Sequence, residues 1–259
     1  MNHIQNSNVL KNIMFISFLL LLWYLISISS LGKNLNGLWF ADIRDVFLAM
    51  KDVLSTRYMY FLPTFELMGI SIIIVIILGV GVGVLIGYFD GVYKSIDWSI
   101  DFWRSIPPVI VIFIFYNLDN FNNFNEEYWR IWLTIFGTLP IMIMQIADAI
   151  IAIPKERMLM FNALNINFWF KIQKIVFYEI LPSLFSTTRT IISFSIIIII
   201  VSEMIISPDY VGIGGEILHF KTAYQIDYVY AYIIVIGFIG FIINKFIRYT
   251  ESKIITWGP

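Results

Sequence analysis

Glu203 and Arg189 bound a long run without charge, TIISFSIIIIIVS, and an ionisable group at the edge of such a run is where chemistry is sought first. Fourteen residues of helix rise about 21 Å, so the two cannot pair along one helix. Glu203 can shape a pathway or gate. It can equally sit at a membrane interface, hydrated or capping the short helix that begins after Pro208. Arg189 reads as an anchor at the other end of the run. Hydrolysis inside a membrane would need a nucleophile and a base at one depth. Ser193 and Ser195 offer hydroxyls, but His219 falls in a loop and neither serine has a glycine-flanked setting. His3 and His219 are the only histidines and there is no cysteine, which leaves no readable metal site and no disulfide framework. Gly79, Gly81, Gly83 and Gly87 lack the Gly-Lys-Ser/Thr ending of a phosphate loop, and small residues at this spacing pack helices closely.

These residues have to be positioned by elements that live in lipid. Hydrophobic residues make up 59% of the chain and charged ones 14%, with a mean hydropathy of +0.81. That is too few charges to cover a soluble surface. A net charge of -1 argues against nucleic acid as a partner. A span needs about 20 apolar residues, and six stretches qualify or nearly so: Asn12–Leu31, Phe61–Phe89, Ile106–Leu118, Trp129–Ile153, Leu184–Ile206 and Tyr228–Ile247. The third is short and starts beside Pro107-Pro108. The first has no small-x-small cleavage site and reads as a retained helix rather than a signal peptide. Trp39, Trp103, Trp129 and Trp257 sit near span ends as an aromatic belt.

Basic residues orient the bundle. Lys155, Arg157, Lys171 and Lys174 share one loop, and Lys245, Arg248 and Lys253 follow the last span. Placing both groups in the cytoplasm puts both termini there too. The loop Lys33–Tyr60 must then lie outside, where the spacing of Ile43, Val46, Phe47 and Met50 predicts an amphipathic interfacial helix. Asp148, near the inner end of the fourth span, is expected to contact Arg157 or a neighbouring subunit. Between the fourth and fifth spans lies NALNINFWFKIQKIVFYEILPSLF. Phe161, Leu164, Phe168, Ile172 and Ile175 form one helical stripe there, with Asn162, Asn165, Lys171 and Lys174 largely off it. Such a face can lie on lipid or dock into a partner.

Several ordered segments resemble the inner-membrane permease subunits of ATP-binding-cassette importers, in the branch handling sulfonates, taurine, nitrate and similar solutes. GVGVGVLIGYFDG (Gly79–Gly91) resembles the family's glycine-rich second helix, and RSIPPVIVIFIFYN (Arg104–Asn117) its next span. TLPIMIMQIADAI resembles the fourth helix, and Arg189, Glu203 and the following GIGGEI stand at the family's spacing. The family's Glu-Ala-Ala positions hold Leu159, Met160 and Phe161 here, its glycine is Asn165, and Pro182 is the second of its two prolines. Asparagine tolerates the left-handed backbone of the turn that the glycine implies.

The resemblance implies an all-α membrane protein of about six transmembrane helices, a type I importer permease fold in one domain, with a cytoplasmic coupling helix within 155–177. It implies that Phe161, Asn162, Ala163, Leu164, Asn165, Ile166 and Phe168 contact a cytoplasmic ATP-binding subunit, and that Arg104, Pro107, Pro108 and Glu203 belong to the pathway or gate. It further implies a second permease copy or paralogue, an extracytoplasmic solute-binding protein, and a place in the bacterial inner membrane. No cofactor is expected on this chain; ATP and Mg belong to the ATPase. Rival readings are a secondary transporter or channel, against which no internal repeat is visible, and a non-transporting scaffold subunit.

Overall fold

The structure, a computed structural model, describes residues 2–29, 40–114, 126–154, 156, 157, 159, 167–206 and 211–256. Its regular elements are helices: α1 (Asn2–Ile28), α2 (Ile43–Ser55), α3 (Phe61–Tyr88), α4 (Asp90–Ser105), α5 (108–114), α6 (Glu126–Ile151), α7 (Phe168–Lys171), α8 (Phe177–Ile206), α9 (Ile213–Thr222) and α10 (Ile226–Ile254). Among the described residues, four stretches are long and apolar enough to cross a bilayer: Tyr58–Tyr88, Glu127–Ile151, Trp169–Ile205 and Ile226–Ile254. These answer to the second, fourth, fifth and sixth expected spans. The first expected span overlaps the helix α1, and Ser17–Ile28 of it is an apolar helix among the described residues. The third is described only as far as residue 114.

The chain forms two compact units, Tyr60–Gly215 with Ile239–Pro259, and Met1–Met59 with Glu216–Phe238. In the larger one, α3 lies along α6. Gly79, Gly83 and Gly87 recur every four residues and so share one helical face. A Cβ on Gly83 would stand 2.8 Å from the Ile143 carbonyl oxygen, and one on Gly87 2.8 Å from Ala147 Cα. The two backbones therefore touch, which supplies the van der Waals contact that holds helices together where lipid removes the hydrophobic drive. Gly81 points elsewhere, with nothing within 4 Å of its notional Cβ. It lines an apolar groove of about 420 Å³ with Leu85, Trp169, Ile172 and Ile180 among others.

Helix α8 completes the core, where Val75, Met142, Ile146, Ile180 and Ile191 are buried together. Two buried hydroxyls are satisfied within their own helices: Ser71 donates to the Leu67 carbonyl at 2.8 Å and Thr134 to that of Arg130 at 2.8 Å. Without water, internal partners of this kind are what a spanning helix needs. Pro108 opens α5, a position where its missing N–H costs nothing. Its ring lies against Gly137, where a Cβ would come within 2.6 Å of Pro108 Cγ.

The segment before α8 departs from the uniform stripe read in the sequence. Residues 161–166 lie outside the described residues. From Phe168 onward, one turn of α-helix passes into a π-turn, Ile172–Val176, before α8 begins. The wider turn inserts a residue into the register, so one 3.6-residue face cannot continue through it. Lys171, expected off the apolar face, is buried and donates from Nζ to the Tyr88 hydroxyl at 3.4 Å. Its long aliphatic stem packs while the ammonium reaches the phenol.

In the smaller unit, Asp42 caps α2 by accepting from the Arg44 amide at 2.8 Å. Val46, Ala49 and Val53 face inward, whereas Phe47 is 69% exposed. The expected stripe of Ile43, Val46, Phe47 and Met50 is thus divided between two faces of that helix. Tyr224, after α9, takes φ 58, the left-handed residue that ends a helix, while the Gln225 amide donates back to the Phe220 carbonyl at 2.9 Å.

Candidate functional site

Glu203 is fully buried in the last turn of α8. Thr64, on the first turn of α3, donates its hydroxyl to Oε1 at 2.7 Å, and the Gly214 amide donates to Oε2 at 2.7 Å. The Ile213 amide in turn donates to Thr64 Oγ1 at 3.0 Å. The carboxylate thus accepts from an otherwise orphan amide in the first turn of α9, which is how an acidic side chain satisfies a helix N-terminus. Geometry also explains the Gly-x-Gly that follows. A Cβ on Gly212 would meet Glu203 Cδ at 2.7 Å, and one on Gly214 would meet Glu203 Cβ at 2.6 Å. Only glycine leaves room for the carboxylate there. Arg130 is fully buried on α6.

The remaining residues picked out in the sequence do not gather at this point. Arg104, in the last turn of α4, is ion-paired with Asp101 at 2.8 Å and is largely exposed. Pro107 is exposed, and Pro108 fills the Gly137 notch beside Ile198. Arg189 pairs with Glu251 of α10. Asp148 is not in contact with Arg157 but is exposed and accepts from Tyr93 on α4 at 2.9 Å. The hydrogen bond to Asp148, aided by burial and by the negative charge nearby, pushes the Tyr93 phenol up to about 12. Arg157 instead pairs with Glu179, joining the chain just before the 158–167 stretch to the chain just after it. Of the residues expected to contact an ATPase, Phe161, Asn162, Ala163, Leu164, Asn165 and Ile166 lie outside the described residues, and Phe168 opens α7.

The smaller unit holds a second polar cluster. Arg57 pairs with Asp52 at 3.2 Å and Glu216 at 2.6 Å, beneath the Phe220 ring at 4.7 Å. Tyr232 donates to Glu216 at 3.0 Å and Tyr228 to Asp52 at 3.0 Å. The Thr56 hydroxyl, donating to Asp52, holds that carboxyl below its ordinary range despite burial, with Tyr228 and Arg57 adding to the effect.

Residues 76–256 match the family of binding-protein-dependent transport system inner membrane components. The chain belongs to that family. It is a multi-pass permease component of an ABC importer. A search of the curated proteins finds no match. The match covers the glycine face of α3 from Gly79 on, all of α6 and α8, and Glu203 with Gly212 and Gly214, while Thr64 precedes it. Three of this permease's site residues escape sequence reasoning. Thr64 is one hydroxyl among many. Arg130 stands next to Trp129 after two carboxylates, which reads as an interface anchor rather than a buried charge. Arg57 reads as one more base in a loop, with nothing to announce its partner at Glu216.

Proposed function

We propose that this permease forms, with a second copy or a paralogue, the pathway of an importer for a small solute such as a sulfonate, taurine, nitrate or a related anion. A separate cytoplasmic ATPase drives it, and an extracytoplasmic binding protein delivers the solute. Six spans place both termini in the cytoplasm, and one domain carries the whole path. ATP and Mg stay on the ATPase. Residues Phe161 to Ile166, with Phe168, form the coupling contact, and ATP-driven closure of the motor pushes on it. Arg104, Pro107, Pro108 and Glu203 border the path.

The observation that carries this reading is the ion pair between Arg157 and Glu179. An exposed pair of this kind contributes only about 0–1 kcal/mol to stability. Its importance is geometric, since it ties both ends of the coupling segment to one place, so that a push on the loop reaches α6 and α8 together.

The test is Ala163→Asp. The variant is expected to insert normally, to lose co-purification with its ATPase, and to lose stimulation of ATP hydrolysis. An intact complex with unchanged stimulation would sink the coupling assignment and return the segment to lipid or to its own bundle.

A further inference from the structure

Helix α2 carries more apolar surface than the protein covers. At about 100° of turn per residue, Val46, Ala49 and Val53 fall on the buried side, and Ile43, Met50, Leu54 and Phe47 extend that arc by about another 100°. Along the extension Phe47 is 69% exposed and Leu54 58%, with Ile43 and Met50 partly covered. Phe47, Met50, Lys51, Leu54 and Ser55 line an open groove of about 380 Å³ there. Two exposed bases, Arg44 and Lys51, border the arc. Asp45 and Asp52 lie on the far side of the helix, and Leu48 alone of the apolar residues stands between the bases and the acids.

Hydrogen bonds fix the level at which this helix lies. Near the end of α1, Ser27 donates to Asp42 at 3.0 Å and Trp23 to the Ala41 carbonyl at 3.1 Å. Further along, Tyr228 in the first turn of α10 donates to Asp52 at 3.0 Å. The Trp23 and Tyr230 rings are 5.5 Å apart, so the end of α1 stands beside the start of α10. Helix α1 exposes Phe18, Leu21, Leu25 and Ile28 along one face, and α10 opens a stretch able to span a bilayer. All these residues belong to the smaller unit. Helix α2 is therefore held at both ends where apolar helices stop, which in a bilayer is the level of the headgroups. An amphipathic helix there buries its apolar arc in the acyl boundary, while long basic side chains at the arc's edge reach back to the phosphates.

We propose that the uncovered arc of α2 is a phospholipid contact: Phe47 and Leu54, flanked by Ile43 and Met50, lie against acyl chains, and Arg44 and Lys51 meet lipid phosphates. Through Asp52 the contact holds the first turn of α10 at the membrane surface. It depends neither on the solute nor on the ATPase.

The chain has no cysteine, so a nitroxide can be attached at one site at a time. Phe47→Cys and Leu54→Cys report the arc, Asp45→Cys on the polar side gives the water reference, and Ile233→Cys, 57% exposed on α10, gives the lipid reference. The labelled full-length chain is placed in vesicles of phosphatidylethanolamine and phosphatidylglycerol with no other protein. Collisions of the label with oxygen and with a water-soluble nickel chelate are then compared. Positions 47 and 54 are expected to favour oxygen about tenfold or more over position 45, as side chains about 5–10 Å inside the boundary should, and to approach position 233. Arg44→Glu combined with Lys51→Glu should raise nickel collisions at position 54 by about twofold or more, because the phosphates then repel that edge of the helix. Nickel contact at positions 47 and 54 equal to that at 45 overturns the proposal and leaves the arc to a water-borne protein partner. Loss of both kinds of collision, with spin–spin broadening that vanishes on dilution with unlabelled chain, overturns it in favour of a second copy. Nickel collisions unchanged by the two glutamates overturn the phosphate contact.

Discussion

Gly87→Ala tests whether backbone contact holds α3 to α6. The added Cβ would stand 2.8 Å from both the Cα and the carbonyl oxygen of Ala147, about 0.6 Å short of the 3.4 Å where ordinary contact begins. Both opposing atoms are backbone, so no rotamer change relieves the clash and the helices must separate locally. A gap of about 0.5–1 Å forfeits a quarter to a half of each atom pair's ~0.1–0.2 kcal/mol. Over some tens of pairs along the seam, that loss reaches about 1–3 kcal/mol, the usual cost of overpacking. Gly81→Ala makes the same chemical change on the same helix where nothing lies within 4 Å, so it isolates the contact from helix propensity. The assay is the thermal midpoint of the detergent-solubilised chain, followed by size-exclusion. A drop of roughly 2–4 °C per kcal/mol is expected for Gly87→Ala, and none for Gly81→Ala. Equal drops for the two variants, or no drop for Gly87→Ala, would refute the argument.

Asp148→Asn should bring the Tyr93 phenol down from about 12 toward the ordinary phenol value of 10.0, read by carbon-13 tyrosine NMR against Tyr93→Phe. Because the folded value is raised, the contact's stabilising effect is full below the ordinary phenol range and is lost as pH rises through about 12. Single cysteines at Thr222 should react with an impermeant maleimide on intact cells, and those at Asn167 and Ser252 should not. Outside reactivity at Asn167 would reverse the orientation inferred from the basic residues.

The spans were legible because membrane burial writes itself into composition. Twenty apolar residues without a charge allow little besides a spanning helix, and α3, α8 and α10 each begin or end within a few residues of where hydropathy changes. The glycine face was legible in part. The four-residue spacing of Gly79, Gly83 and Gly87 announces one face, but Gly81 shares their composition and not their register. The π-turn at Ile172–Val176 was not legible, since a residue inserted into a helix leaves the apolar count unchanged and alters only its phase.

Charges were the hardest to read, and for a common reason. A charge near a span end looks like an anchor whether it faces water or the bundle, because position along the helix is visible in sequence and azimuth is not. Arg189 and Arg130 illustrate the two outcomes. Both sit a turn or so inside a span boundary. Arg189 is an anchor, partly exposed and paired with Glu251, whereas Arg130 is fully buried. What distinguishes them is packing that the sequence does not display: Arg189 meets Glu251 of α10, sixty-two residues on. Glu203 was ambiguous between gate and cap for the same reason. The Gly-Ile-Gly that follows it resolves the geometry. Gly212 and Gly214 each leave a Cβ-sized space that the glutamate fills, so the motif records in two glycines where the carboxylate must lie.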